Sequence, residues 1–163
     1  MTQDDKVLAE AILEHLCVGR RICGAYFYAV PILVIDVADY VGPEEEAKLT
    51  IETEWKIVDK VPAELPVMQF TGSVVPRQRT SELISEVGYL GWHRIVHVQL
   101  GDCIPHLLLT FENGRTLLIN GHHDLYECWN ISRAEFLVVC TPGDGLAIWH
   151  PDGFRAGSRK NSM

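Results

Sequence analysis

From Leu107 to Ile119 the chain reads LLLTFENGRTLLI, two β-prone apolar runs on either side of Asn113-Gly114. An Asn-Gly pair in this setting is a strong local hairpin signal. A two-residue type I′ turn needs φ > 0 at both central positions, and Asn and Gly tolerate this at the least cost. Such a turn opposes Glu112 with Arg115, Phe111 with Thr116, Thr110 with Leu117, Leu109 with Leu118 and Leu108 with Ile119. Its outermost pair is a cross-strand charge pair. Below it both faces are apolar, so the base of the hairpin is expected to be covered on two sides.

The remaining pattern supplies elements around that hairpin. Thr2 to Cys17 reads as an amphipathic helix: Val7, Leu8, Ala11, Ile12 and Leu16 recur at helical spacing, acids occupy the first turn, and Gly19 is a stop. The next stretch, RRICGAYFYAVPILVIDVADYV, is β-branched and aromatic, with Pro31 marking a break, bulge or edge. Leu49 to Lys60 alternates as a half-buried strand and pairs with that stretch as a long antiparallel hairpin. Its outer face is expected to be acidic. Val61 to Gly72 reads as an irregular crossing, and Pro76 to Val87 as a second helix capped by Thr80 or Ser81 and closed by Gly88 and Gly91. From Trp92 onward short strands follow one another: 92–100, the central hairpin, Leu125 to Ile131, Phe136 to Thr141 and Leu146 to His150. Turn signals at 101–102, 113–114, 121 and 142–145 separate them, which predicts an antiparallel meander.

Length and composition fit this picture. At 163 residues, 47% hydrophobic and 22% charged, residues 1–154 are expected to form one domain with a real core, followed by a basic flexible tail, 155–163. No apolar run reaches the length of a membrane span and no signal peptide is visible, so a cytoplasmic location is expected. Five cysteines with no CxxC pair predict reduced, buried thiols. The charge is unevenly laid out. Between Asp36 and Glu54 stand seven acids (Asp36, Asp39, Glu44, Glu45, Glu46, Glu52, Glu54) and one base, Lys48, a net −6 of the chain's −8. An acidic field disfavours nucleic acid as a partner and favours a basic one.

Three stretches carry candidate chemistry. Gly121-His122-His123-Asp124, with His93, His97, His106 or Cys103, offers metal-ligating groups, but adjacent histidines point to opposite sides of an extended chain, so a solvated turn is expected. A reactive thiol would pair Cys103 with His106 or Cys140 with His150, and burial in the LVVC strand raises rather than lowers the pKa of Cys140. Pro142-Gly143-Asp144-Gly145 opens into a strand and not a helix, so it reads as a hairpin turn and not as an anion cradle. Catalytic and metal-binding residues are therefore expected to be none, and cofactors none. Tyr26 and Tyr28 share one strand face, and beside the acids they have the composition of a protein-binding patch.

The segments Phe111-Glu112-Asn113-Gly114-Arg115, Glu127-Cys128-Trp129, and Pro142-Gly143 leading to Trp149 form a recurring pattern. Over about residues 92–151 this pattern resembles small bacterial β-rich domains of the immunity-protein type. The resemblance implies a non-enzymatic protein that neutralises a cognate toxin by binding it, and it supplies no catalytic residues. Together these readings predict an α+β fold with a mainly antiparallel, twisted sheet and one or two covering helices. The partner-binding residues are expected to be Asp36, Asp39, Glu44, Glu45, Glu46, Glu52, Glu54, Tyr26 and Tyr28, presented to a basic toxin such as a nuclease. The alternative is a small-ligand or metal-dependent enzyme using His93, His97 and His122 or His123. A third reading is an oligomer-forming module whose apolar strands pair across a two-fold axis.

Overall fold

A computed structural model of the chain describes residues 1–27, 30–36, 46–61 and 85–154. Tyr28, Asp39, Glu44, Glu45, the side chain of Asp36, the crossing at 62–72, the start of the second helix and the basic tail lie outside these residues. The elements are helix α1 (Gln3–Cys17) and strands β1 (Arg21–Phe27), β2 (Pro31–Asp36), β3 (Ala47–Ile51), β4 (Trp55–Val58), β5 (Ile95–Leu100), β6 (Leu107–Phe111), β7 (Thr116–Ile119), β8 (Trp129–Arg133), β9 (Phe136–Thr141) and β10 (Gly145–Trp149). They form an α+β fold with two antiparallel sheets, ordered β1-β2-β3-β8-β9-β10 and β4-β7-β6-β5. The meander expected in the C-terminal half is present as β5-β6-β7 in one sheet and β8-β9-β10 in the other.

The predicted strand from Leu49 to Lys60 is in fact two, broken at 52–54, and the break is where the chain changes sheet. Burial alternates straight through it: Ala47, Leu49, Ile51, Thr53 and Trp55 are all buried. The period-2 pattern therefore holds across the break, and it carries no sign of a change of hydrogen-bonding partner. The amide of Glu52 donates to the Cys128 carbonyl, and the amide of Asn120 donates to that of Glu54. These two bonds hold the crossover against residues 120–128. Pro31 is the first residue of β2, as suits a residue without an N–H.

Helix α1 is closed at its start by a capping box, in which Thr2 and Asp5 satisfy each other's backbone N–H groups. Gly19 follows its end with φ +85°. Its buried face is Lys6, Ala9, Ile12, Leu13, Leu16 and Cys17, rotated from the expected stripe, and Val7 is half exposed. Rotation buries the Lys6 stem and leaves its ammonium against the Asp102 carboxylate at 2.6 Å. The helix packs on β5, β9 and β10, and Glu10 accepts the Leu100 N–H at 2.9 Å. It thereby bridges the end strands of the two sheets, and one apolar cluster joins both sheets to it. Residues 85–90 are helical, so the second helix runs past Gly88 and does not close there.

The central hairpin forms, but its register is one residue away from the one expected. Thr110 faces Thr116, Leu109 faces Leu117, Leu108 faces Leu118 and Leu107 faces Ile119. Among the residues of the turn only Gly114 has positive φ, at +85°, which excludes type I′. The Gly114 N–H instead returns to the Phe111 carbonyl and the Phe111 N–H donates to Arg115. This is a three-residue loop with glycine in the left-handed position. Asn113 decides the outcome: its Oδ1 accepts the Arg115 N–H at 3.0 Å, a side-chain turn that the simple pair signal ignores. The expected Glu112–Arg115 pair is absent. Arg115 binds Asp59 at 3.1 Å, and Glu112 lies 3.7 Å from His93. Burial on both faces holds, with Leu108 and Leu118 as buried as Leu107 and Leu109.

None of the five cysteines forms a disulfide; Cys17, Cys128 and Cys140 are buried as expected, whereas Cys23 and Cys103 are exposed. No helix among the described residues is long and apolar enough to cross a membrane.

Candidate functional site

Strand directions gather the 52–54 crossover, the 101–106 loop, the 120–128 loop, the 142–144 turn and the start of α1 at one end of the two sheets. The hairpin tip at 112–115 and the ends of β2 and β3 that face each other lie at the opposite end. The first end carries the densest polar construction among the described residues, and loop 120–128 is its centre.

That loop was expected to begin a strand at Leu125. Instead β8 starts at Trp129, because His123 intercepts the backbone. Its Nδ1 accepts the N–H groups of both Leu125 and Tyr126, at 3.0 and 3.1 Å, so those donors never reach a ladder. The Tyr126 ring lies against the His123 ring at a centroid distance of 5.0 Å. Held this way, Leu125 and Tyr126 stand 74% and 66% exposed. Exposed Asp124 and Glu127 flank them, and exposed Glu52 is tied to the loop through Cys128.

Underneath, Asn120 is fully buried and ties the 52–54 crossover to the loop. Its Nδ2 donates to Thr53 Oγ1 at 3.2 Å and to the His122 carbonyl at 3.1 Å, and its Oδ1 accepts the His122 N–H at 3.2 Å. Buried His106 accepts the Gly121 N–H on Nδ1 at 2.9 Å, leaving Nε2 buried with no hydrogen-bond partner. An unprotonated Nδ1 places the neutral ring's proton on Nε2. Gly121 lies so close to the Pro105 carbonyl that a Cβ there would overlap it. The Cys140 thiol donates to the Gly121 carbonyl at 3.3 Å, and the Trp129 indole donates to that of Pro105 at 2.9 Å.

The 142–144 turn closes the other side. Gly143 and Asp144 have φ of 73° and 64°, the successive positive angles expected at Asn113-Gly114. Gly143 donates to the His123 carbonyl, and Asp144 Oδ1 lies 2.6 Å from His122 Nδ1. The bond to Asp144 raises the His122 pKa above the ordinary histidine value, against a smaller effect of burial. Burial lowers that of His106; the nearby Asp144 opposes this and His122 adds to it. Partial desolvation of its carboxyl, with the field of Glu127, raises the pKa of Glu52.

The sequence-predicted binding residues divide between the two ends. Glu52 and Glu54 belong to the crossover under the loop, and Tyr26 is exposed on β1 toward the same end. Glu46 precedes β3 and Glu52 follows it, about 20 Å apart at the rise of a strand. The described part of the β2–β3 pair does not have the acidic outer face expected of it. Ile32, Val34, Lys48 and Thr50 occupy it. The histidines of the enzyme alternative also separate: His93 sits by Glu112 at the hairpin tip, His97 is exposed beside Thr110, and His122 and His123 lie at the loop end. Among the described residues no three His, Cys, Asp or Glu side chains are grouped to hold a metal ion. Cys140 and His150 fall at opposite ends of β10, and His106 is committed to Gly121 rather than Cys103. Leu125 and Tyr126 were missed as surface residues. The adjacent His-His-Asp is the signal that could have found them, as a side-chain-built turn preceding an apolar pair.

Compared with protein-family models, with curated proteins and with solved structures, the chain finds no significant match.

Proposed function

We propose that this chain is a non-enzymatic protein-binding protein of the immunity type, which neutralises a cognate toxin by occupying it with the 52–54 and 120–128 end. The observation that carries the reading is the fixed presentation of Leu125 and Tyr126 amid Glu52, Asp124 and Glu127. Interface energy concentrates in a few apolar and aromatic anchors, and anchors already held in place lose less entropy on binding. Surrounding carboxylates favour a basic partner and speed its approach. The resemblance of residues 92–151 to immunity-type domains supports the same class. The net −6 of residues 36–54 supports a basic partner, and among the described acids of that segment Glu52 and Glu54 stand at this end.

The test is capture of a partner by the tagged protein, followed by kinetics with two variant sets. Leu125→Ala with Tyr126→Ala is expected to raise the dissociation rate at least tenfold, with the thermal unfolding midpoint unchanged. Glu52→Lys with Glu127→Lys is expected to slow association at low salt and to lose that effect at high salt. Unchanged kinetics in both sets would refute this face. Stoichiometric metal in the purified protein would favour the enzyme alternative.

A further inference from the structure

Three backbone N–H groups of the 120–128 loop end on histidine nitrogens. Gly121 donates to His106 Nδ1 at 2.9 Å, and Leu125 and Tyr126 both donate to His123 Nδ1 at 3.0 and 3.1 Å. A ring nitrogen accepts a hydrogen bond only while it carries no proton. Backbone amides cannot be deprotonated to compensate, so a proton on either Nδ1 turns each such contact from attraction into donor facing donor.

We propose that loop 120–128 carries an acid-released latch, in which unprotonated His123 holds Leu125 and Tyr126 and its protonation frees them, while unprotonated His106 anchors Gly121. The remaining anchors do not share this dependence: Asn120 does not titrate, and His122 keeps its bond to Asp144 when protonated. Release is therefore local, and the loop stays tethered through Asn120 and His122. Among the described residues, Asp144 and His122 face His106, and Tyr126 and Asp124 stand beside His123. Burial disfavours the charged form of His106. Any effect on a partner rests on the binding reading above, whereas the latch itself is a property of the free chain.

Nuclear magnetic resonance of the free, isotope-labelled protein tests it. Near neutral pH the ring ¹⁵N shifts of His106 and His123 are expected to report unprotonated Nδ1 atoms, and backbone order parameters of Leu125 and Tyr126 should be about 0.85. On acidification the two amides are expected to shift in step with the His123 ring, and their order parameters to fall below about 0.6. His123→Asn puts a non-titrating oxygen close to where Nδ1 stands, so Leu125 and Tyr126 should stay ordered in acid while Gly121 still follows His106. Three results would each overturn the proposal: a proton on His123 Nδ1 at neutral pH, amides unmoved once His123 is protonated, or release in His123→Asn at the same pH as in the parent chain. Because no partner is involved, failure of the latch and failure of the binding reading are separate outcomes.

Discussion

Asn120→Ala is the substitution that most directly tests whether the polar base under the loop holds this end together. Asn120 is fully buried and bonded to Thr53 and to both backbone groups of His122. Truncation leaves the buried Thr53 hydroxyl without this donor. A buried polar group left unsatisfied costs roughly 1–3 kcal/mol. The His122 backbone groups lie in a half-buried residue, where water can reach them, so each adds less, on the order of 0.5 kcal/mol. With the small void left by the lost amide, the sum is about 3 kcal/mol. For a chain of this size that is a fall of about 6–12 °C in thermal midpoint. Chemical denaturation should show a lower midpoint with an unchanged slope. The origin is checked by a double-mutant cycle with Thr53→Val, which removes the hydroxyl and keeps the shape. Asn120→Ala should then cost about 1 kcal/mol less than in the parent. A loss below 1 kcal/mol, or strict additivity with Thr53→Val, would show that the network is incidental.

Two histidines give this end opposed pH dependences. The folded pKa of His122 is raised, so the stability it contributes is present below its unfolded value of 6.5 and is lost as pH rises through the folded pKa. That of His106 is lowered, so its contribution is complete above 6.5 and is lost as pH falls through the folded pKa. Their combined contribution should peak near pH 6.5, and Asp144→Asn should lower stability more at pH 6 than at pH 8, as denaturation at both values will show. Equal losses would exclude the His122–Asp144 bond as the source. Gly121→Ala forces a Cβ onto the Pro105 carbonyl, backbone against backbone, and should cost about 3 kcal/mol or prevent folding, read by calorimetry and soluble yield. At the hairpin tip, Gly114→Ala should cost about 1–2 kcal/mol, since its φ is positive but the space is open. Asn113→Ala should cost less than about 1 kcal/mol, because only one side-chain bond is lost. A larger cost for Asn113 than for Gly114 would point back to a type I′ turn.

Local pattern was enough for several features of this protein. The first helix and its Thr2 start, the strands of the central hairpin, the covering of both its faces and the antiparallel meander all follow from short-range spacing. Burial alternates from Ala47 to Trp55 as the residues do. These features are legible because side-chain period and cap chemistry depend on neighbours within a few positions. What the tertiary structure decided was which neighbours the strands met. The 47–58 run changes sheets without disturbing its alternation, because period 2 records which face is buried and not which strand is bonded. The hairpin register moved by one residue because Asn113 spends its side chain on the Arg115 amide. Leu125 and Tyr126 left their expected strand because one histidine nitrogen captured their amides, and the acids of one sequence segment were divided between two ends by the length of β3. Each of these turns on where a single hydrogen-bond donor finds its acceptor, and that depends on segments brought close only by folding.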